Sequence, residues 1–224
     1  DGRSVGRFVA EEIVEPLGID LWIGLPPDQE ARRAPHFNEG PQILLEQWRA
    51  VLGAQGLDLD DRLVRAFLST AMATDAGIMQ MNTSRAFRAA ELPAGNAIGD
   101  ARALAKIYAA LIGRVDGVRL ISETAMQRAR TQQTTGLGPP GELAKMGRAG
   151  VQHFGLGFEM PAVVKPMLGP GSFGHAGAGG RWAFAHPETG IAAGYMCNTM
   201  LQTMSGPDPR WVGWTAALRE AVGL

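Results

Sequence analysis

Val5, Phe8, Val9 and Ile13 recur at the spacing of one helical face, so a first helix is predicted there. Ser4 is its expected N-cap, because a serine hydroxyl accepts from an amide that the first turn leaves orphaned. Pro16 is expected to stop that helix, and Leu17-Gly18 to turn the chain away. Residues 24–40 carry proline, glycine and charge without an apolar period and read as a loop. A second helix is predicted from about Pro41 to Gly53, burying Leu44, Trp48, Val51 and Leu52. Leu63, Val64, Phe67 and Leu68 suggest a shorter third. The strongest signal is Asp100 to Ile112: Asp100 caps it, Leu104, Ile107, Tyr108, Leu111 and Ile112 form a stripe, and Gly113 ends it. Ser122 caps a further helix to about Arg130. Residues 134–150, with Gly136, Gly138, Pro139, Pro140 and Gly141, read as a loop.

After Val151 the pattern changes from helical spacing to short runs. Phe154-Gly155-Leu156-Gly157-Phe158 reads as a strand with glycines where neighbours come close. Ser172 to Gly177 and Arg181 to Ala185 read as two more. His186-Pro187-Glu188-Thr189-Gly190 is turn chemistry, and Ile191 to Cys197 returns as a strand. Pro209 to Val222 predicts a terminal helix carrying Trp211, Trp214 and Leu218. The fold class is therefore α+β: an antiparallel sheet with the first and last helices available to cover it, plus a helical region. One domain is expected, helical over about 1–150, with the sheet and terminal helix over about 151–224.

With 224 residues, 46% hydrophobic and 19% charged, the chain can bury one sizeable core. A net charge of -1 removes the electrostatic case for nucleic acid, and no apolar run is long enough for a membrane span. The single cysteine, Cys197, excludes an internal disulfide framework and fits a reducing, cytoplasmic compartment. His36, His153, His175 and His186 show no metal-ligand spacing, so no metal is expected. His36 and His186 sit among turn residues and are expected to be solvated.

Two matches fail on context. Gly136-Leu137-Gly138-Pro139-Pro140-Gly141 fits G-x-G-x-x-G as text, but two prolines remove amides that a phosphate cradle needs. Pro170-Gly171-Ser172-Phe173-Gly174 approaches the nucleophile elbow G-x-S-x-G, yet proline replaces its first glycine and a strand follows. Ser172 reads as the start of a strand.

Phe173-Gly174-His175-Ala176-Gly177-Ala178-Gly179-Gly180 is the most unusual segment. Such small residues suit a place where a substrate lies against bare backbone, beside a histidine able to donate, accept or carry charge near neutral pH. A tight glycine-rich hairpin with a satisfied histidine explains the same residues equally well.

The order of surrounding features resembles the later part of the β-lactamase-related serine hydrolases, which include class C β-lactamases and esterases of the penicillin-recognising fold. Gly2-Arg3-Ser4, Phe8, Glu11 to Ile13 and Pro16-Leu17-Gly18 resemble the helix and turn after that family's second active-site motif. Pro93-Ala94-Gly95-Asn96 with Asp100-Ala101-Arg102-Ala103-Leu104-Ala105 resembles a later helix, and Phe154 to Phe158 a Y-G-L-G-W-type strand. His175-Ala176-Gly177 falls where the family carries Lys-Thr-Gly or, in many esterases, His-x-Gly; the hairpin from His186 to Asn198 follows.

The resemblance implies an acyl-enzyme formed by a serine of S-x-x-K, aided by its lysine and by a tyrosine of the second motif. It implies that Ala178 donates its backbone N–H to the oxyanion hole. The edge His175, Ala176 and Gly177 would align the substrate, with His175 supporting the polar network. None of the six serines (Ser4, Ser69, Ser84, Ser122, Ser172, Ser205) has lysine three residues on, and neither Tyr108 nor Tyr195 has the motif's setting. Nucleophile and tyrosine are thus expected upstream of Asp1, and the isolated chain is expected to be inactive. Its expected partners are a small ester or acyl substrate, and the missing N-terminal segment or a second copy of the chain. No cofactor is implied. Histidine in place of lysine tilts the expectation toward carboxylic esters, with β-lactams as a further possibility. A non-catalytic binding module that kept the fold and lost the nucleophile is the alternative.

Overall fold

The computed structural model describes residues 1–38, 45–66, 84–150, 153–163, 165–177, 179–201 and 207–224. Pro41 and Leu44 of the second predicted helix, Phe67 and Leu68 of the third, and Ala178 lie outside the described residues. The elements are α1 (Val5–Val9), β1 (Leu21–Trp22), β2 (Phe37–Asn38), α2 (Leu45–Ala54), α3 (Arg85–Ala89), β3 (Ile98–Gly99), α4 (Ala101–Ile112) and α5 (Glu123–Ala129). They are followed by β4 (Phe173–Ala176), β5 (Trp182–His186), β6 (Ile191–Tyr195), β7 (Thr199–Met200) and α6 (Pro209–Ala221). The class is α+β.

Helix starts follow the capping chemistry in the sequence. The side chains of Ser4, Asp100, Ser122 and Asp208 each accept from an amide of the first turn of α1, α4, α5 and α6. The first helix does not stop at Pro16. It passes without a break into a π-helical stretch, Ala10–Val14, and an α-helical turn, Glu15–Leu17. There the Glu15 N–H reaches back five residues to the Ala10 carbonyl, a widened turn that carries the backbone past a residue with no N–H of its own. Gly18, at φ 57°, then ends it in the left-handed conformation that favours glycine.

The three-stranded sheet has the order β4-β5-β6, antiparallel throughout, with His175 opposite Ala183 and Gly174 opposite Phe184. Side chains alternate across a strand, so β5 presents Ala183 and Ala185 to one face and Trp182 and Phe184 to the other. The two faces have different covers. On the alanine face α4 and α5 pack Tyr108, Leu111 and Met126 against Phe173, Ala183 and Ala185. Small residues matter there: a Cβ on Gly194 of β6 would lie 2.4 Å from the Ala101 carbonyl oxygen. On the other face α6 lays Trp211 against Trp182 with ring centroids 4.4 Å apart, while Trp214 stacks on Phe184 at 5.9 Å. Met167 and Leu168 complete that core. The last helix covers the sheet as the sequence suggests; the second cover is α4, where the N-terminal helix had been available. α1 instead takes the Glu91 carboxylate at its start, through Ser4 Oγ at 2.8 Å and the Gly6 N–H at 2.7 Å.

Two other expectations change. Phe154 to Phe158 is no strand: the Gly155 N–H donates to the Phe158 carbonyl, closing a tight turn, and single hydrogen bonds, from the Gln133 N–H to the Phe154 carbonyl and from the Leu156 N–H to the Ala129 carbonyl, tie it to the end of α5. Close backbone approach does require glycine at 155, where a Cβ would lie 2.2 Å from the Ala129 carbonyl oxygen. Residues 141–150 are 3-10 helical (Gly141–Gly150), and Leu143 and Met146 pack on Leu52, Leu57 and Val64 in a separate small core.

Phe184 is fully buried and Val212, on the outer side of α6, is 50% exposed. Phe184→Ala is expected to lower unfolding free energy by about 4 kcal/mol, and Val212→Ala by less than about 0.5 kcal/mol. Urea unfolding of the two variants checks this.

Candidate active site

Strand β4 carries His175 and Ala176, and Gly177 follows where the hairpin begins to turn. The Gly177 N–H donates to the Arg181 carbonyl at 2.8 Å and the Gly180 N–H to the Gly177 carbonyl at 3.2 Å, so the chain reverses over residues 177–180. Gly179 and Gly180 have φ values of 86° and 103°, a region that glycine enters without strain. Space also demands glycine at 174, 179 and 180, where an added Cβ would fall within 2.7 Å of neighbouring atoms. At Gly177 it would meet Arg181 at 3.8 Å, an ordinary contact.

The outer edge of β4 is only partly paired. Gly174 exchanges hydrogen bonds with the backbone of Glu159, at 2.9 and 2.7 Å. Beyond it the Ala176 N–H, which alternation turns away from β5, donates to Glu159 Oε2 at 2.9 Å. The His175 side chain is 57% exposed, with Nδ1 3.9 Å from the same oxygen. Glu159 itself is buried, and its other oxygen pairs with Lys165. Beneath lies Tyr108, whose hydroxyl is pushed far above its ordinary range by burial and then by the charge of Glu159. That hydroxyl stays protonated in a core formed with Phe158 and Phe173, which does not suit a base.

The hairpin tip is held from behind by the start of α6. Arg210 donates to the carbonyl of Gly179 at 2.8 Å and to that of Thr199 at 2.8 Å, and the Trp211 indole N–H reaches the carbonyl of Gly180 at 2.9 Å. Asp208, almost fully buried, pairs with Arg210 at 2.6 Å and raises its pKa, its hydrogen bond outweighing the cost of burial. On the flank, Arg181 donates to the Cys197 carbonyl at 3.0 Å and contacts His36 Nε2 at 2.8 Å. A guanidinium can only donate, so His36 Nε2 must accept. Burial, then the charge of Arg181, lowers the pKa of His36.

Of the sequence candidates, His175, Ala176 and Gly177 form one continuous edge, and Ala178 lies outside the described residues. Ser172 is fully buried and accepts from the Leu168 N–H at 3.2 Å, as a strand-start residue would. His186 is not solvated: at 4% exposure its ring contacts the Pro170 carbonyl and Thr189 Oγ1, both at 3.0 Å. Pro170 and Thr189 thus close over the end of β5. His36 is half-buried. Sequence reasoning missed Glu159, Lys165, Asp208 and Arg210. Glu159 did leave a trace, as a carboxylate between Phe158 and Met160 in an otherwise apolar run. Among the described residues no group of three His, Cys, Asp or Glu side chains converges on a metal position, and no helix is long and apolar enough to cross a membrane.

Arg210→Ala is expected to cost about 3 kcal/mol by stranding the Asp208 carboxylate, read as a fall in the urea midpoint at unchanged slope. For His36 the folded pKa lies below the ordinary 6.5. Its contribution is therefore complete above pH 6.5 and is lost as pH falls through the lowered value. His36→Gln keeps an acceptor for Arg181 and is expected to flatten the fall in thermal stability below that pH; an unchanged fall would assign it to other groups.

The beta-lactamase family model matches residues 1–217. Among curated proteins the chain is 30% identical to an esterase/beta-lactamase, LipL, of Mycobacterium tuberculosis, over 98% of this chain and 49% of that protein. It thus spans about half the length of that relative. Among solved structures, a family VIII carboxylesterase matches 99% of the chain with 52% of its own, at 28% identity and a TM-score of 0.70. A penicillin-binding protein homologue from Caulobacter crescentus matches all of it with 53% of its own, at 28% identity and TM-score 0.64. EstA from Arthrobacter nitroguajacolicus shares the fold over 99% of the chain and 55% of its own, at 21% identity and TM-score 0.74. With the family model spanning nearly its whole length and the fold of these proteins reproduced, the chain belongs to the beta-lactamase family of serine hydrolases.

Proposed function

We propose that this chain supplies the oxyanion edge of a serine hydrolase that cleaves small carboxylic esters through an acyl-enzyme, with its nucleophile in residues that precede this sequence. The observation that carries the reading is the edge from His175 to Gly177, exposed at His175, anchored at its tip by Arg210 and Trp211 and, among the described residues, without a second strand on its outer side beyond Gly174. Esterase names among the relatives agree with it.

In the proposed reaction a serine oxygen adds to the ester carbonyl, its proton passing to the upstream lysine and tyrosine and from them to the departing alcohol. The oxygen that becomes negative is held by two backbone N–H groups, one from the nucleophile's own residue and one from Ala178. Donors fixed before the reaction stabilise that charge without reorganising. Collapse of the intermediate expels the alcohol, and water then releases the acid and frees the serine. His175 orients the polar end of the substrate. No serine here precedes lysine by three residues, which is why the nucleophile is placed upstream.

The apolar surface agrees with an additional segment. Val5 and Phe8, on the face predicted to be core, are 39% and 42% exposed. Among the described residues β6 pairs only with β5. We propose that the rest of the protein covers α1 and lies along β6.

A fluorophosphonate probe with intact-mass readout tests the assignment. The 224-residue chain is expected to remain unlabelled, while the whole protein takes one adduct on an S-x-x-K serine and hydrolyses nitrophenyl esters. In that protein His175→Ala is expected to lower kcat/KM by about 10²-fold, the scale of a lost polar catalytic partner. Stoichiometric labelling of this chain alone would overturn the upstream placement and make Ser172 the first suspect. Absence of labelling and turnover in the whole protein would favour the non-catalytic binding module.

A further inference from the structure

The Glu159 carboxylate is buried directly beneath an exposed histidine. Glu159 is 5% exposed, and both of its oxygens are engaged: one by the Lys165 ammonium, the other by the Ala176 N–H at 2.9 Å. Lys165 supplies the opposite charge beside this buried carboxylate. The oxygen bound to Ala176 also lies 3.9 Å from Nδ1 of His175. That distance is beyond hydrogen-bond length, so the interaction is electrostatic. A neutral imidazole carries one N–H and one lone pair. A carboxylate facing a ring nitrogen attracts the first and repels the second. Among the described residues no other charged side chain pairs with this ring and none hydrogen-bonds to its Nε2.

We propose that Glu159 is a positioning residue that fixes the Nδ1–H tautomer of His175, so that a bare Nε2 lone pair faces the substrate side of the strand edge. An acceptor at that point has consequences for the choice of substrate. It receives O–H and N–H groups and repels carboxylates. The site is then suited to neutral esters, above all those with a hydroxyl within reach of Nε2, and poorly suited to acyl compounds bearing a free carboxylate. This consequence rests on the ester-hydrolase reading, whereas the tautomer itself does not.

Nitrogen-15 NMR of the histidine rings in this chain tests the tautomer without any need for turnover. The spectrum is recorded at about pH 8.5, above the ordinary histidine range, with His175 assigned by the signals that His175→Asn removes. Its Nε2 is expected to carry the shift of an unprotonated nitrogen and its Nδ1 that of a protonated one. In Glu159→Gln the Nδ1–H to Nε2–H ratio is expected to fall about fivefold, since only an electrostatic attraction is lost. His36, His153 and His186 should not move. A predominant Nε2–H form in the unsubstituted chain, or a ratio unchanged in Glu159→Gln, would overturn the proposal. Glu159→Asp provides a second variant should Glu159→Gln not fold. It draws the same charge back from the ring by one methylene, so the Nδ1–H fraction is expected to fall, though by less than in Glu159→Gln, and an unchanged fraction contradicts the proposal. An inert whole protein with the expected tautomer would defeat the esterase reading alone.

Discussion

The grip of the terminal helix on the hairpin tip is the constraint on which the candidate site depends. A reversal of chain at residues 177–180 leaves carbonyls pointing away from both strands. Gly179 and Gly180 find their partners in Arg210 and Trp211, at the first turn of α6. A hydrogen bond to a charged donor contributes about 1.5–3 kcal/mol, and Arg210 makes more than one: Thr199, on the neighbouring segment, is bound by the same guanidinium. Asp208 is buried to hold that guanidinium in place and at the same time caps the helix through the Arg210 N–H at 2.9 Å. One residue thus starts the helix and aims its clamp.

The rest of the architecture positions that clamp. α6 can reach the tip because Trp211 and Trp214 seat it on the sheet against Trp182 and Phe184. The opposite face is shaped by what is missing from its side chains. Ala183, Ala185 and Gly194 let α4 lie close over β5 and β6, while Tyr108 and Phe173 fill the remaining depth toward Glu159. The sheet is therefore gripped from both sides. Beyond Gly174 the outer side of β4 has no second strand among the described residues, and only the Glu159 carboxylate reaches it, at the Ala176 N–H.

Local chemistry made much of this readable. Capping residues at Ser4, Asp100, Ser122 and Asp208 and apolar stripes on α4 and α6 marked helices that do form. Alternation and the Pro187 to Gly190 turn gave the hairpin of β5 and β6. Failures came where a long-range partner decides. Pro16 reads as a stop, yet a π turn takes the helix through it. Phe154 to Phe158 has strand composition, but it turns on itself and meets the end of α5 through single hydrogen bonds rather than a ladder. In the site, glycine density exposed the edge at His175 to Gly177. What holds it was hidden, because Glu159 lies 17 positions from Ala176 and Arg210 lies 31 from Gly179.

The central claim is the proposed donation to a developing oxyanion by the one backbone N–H that follows Gly177. A crystal structure of the whole protein carrying a phosphonate adduct on its serine tests it most directly. The account predicts a phosphonyl oxygen about 2.7–3.1 Å from the backbone nitrogen that follows Gly177, with Arg210 still bound to the Gly179 carbonyl. An adduct whose oxygen is held by other groups, with the His175 to Gly177 edge out of contact, would contradict it.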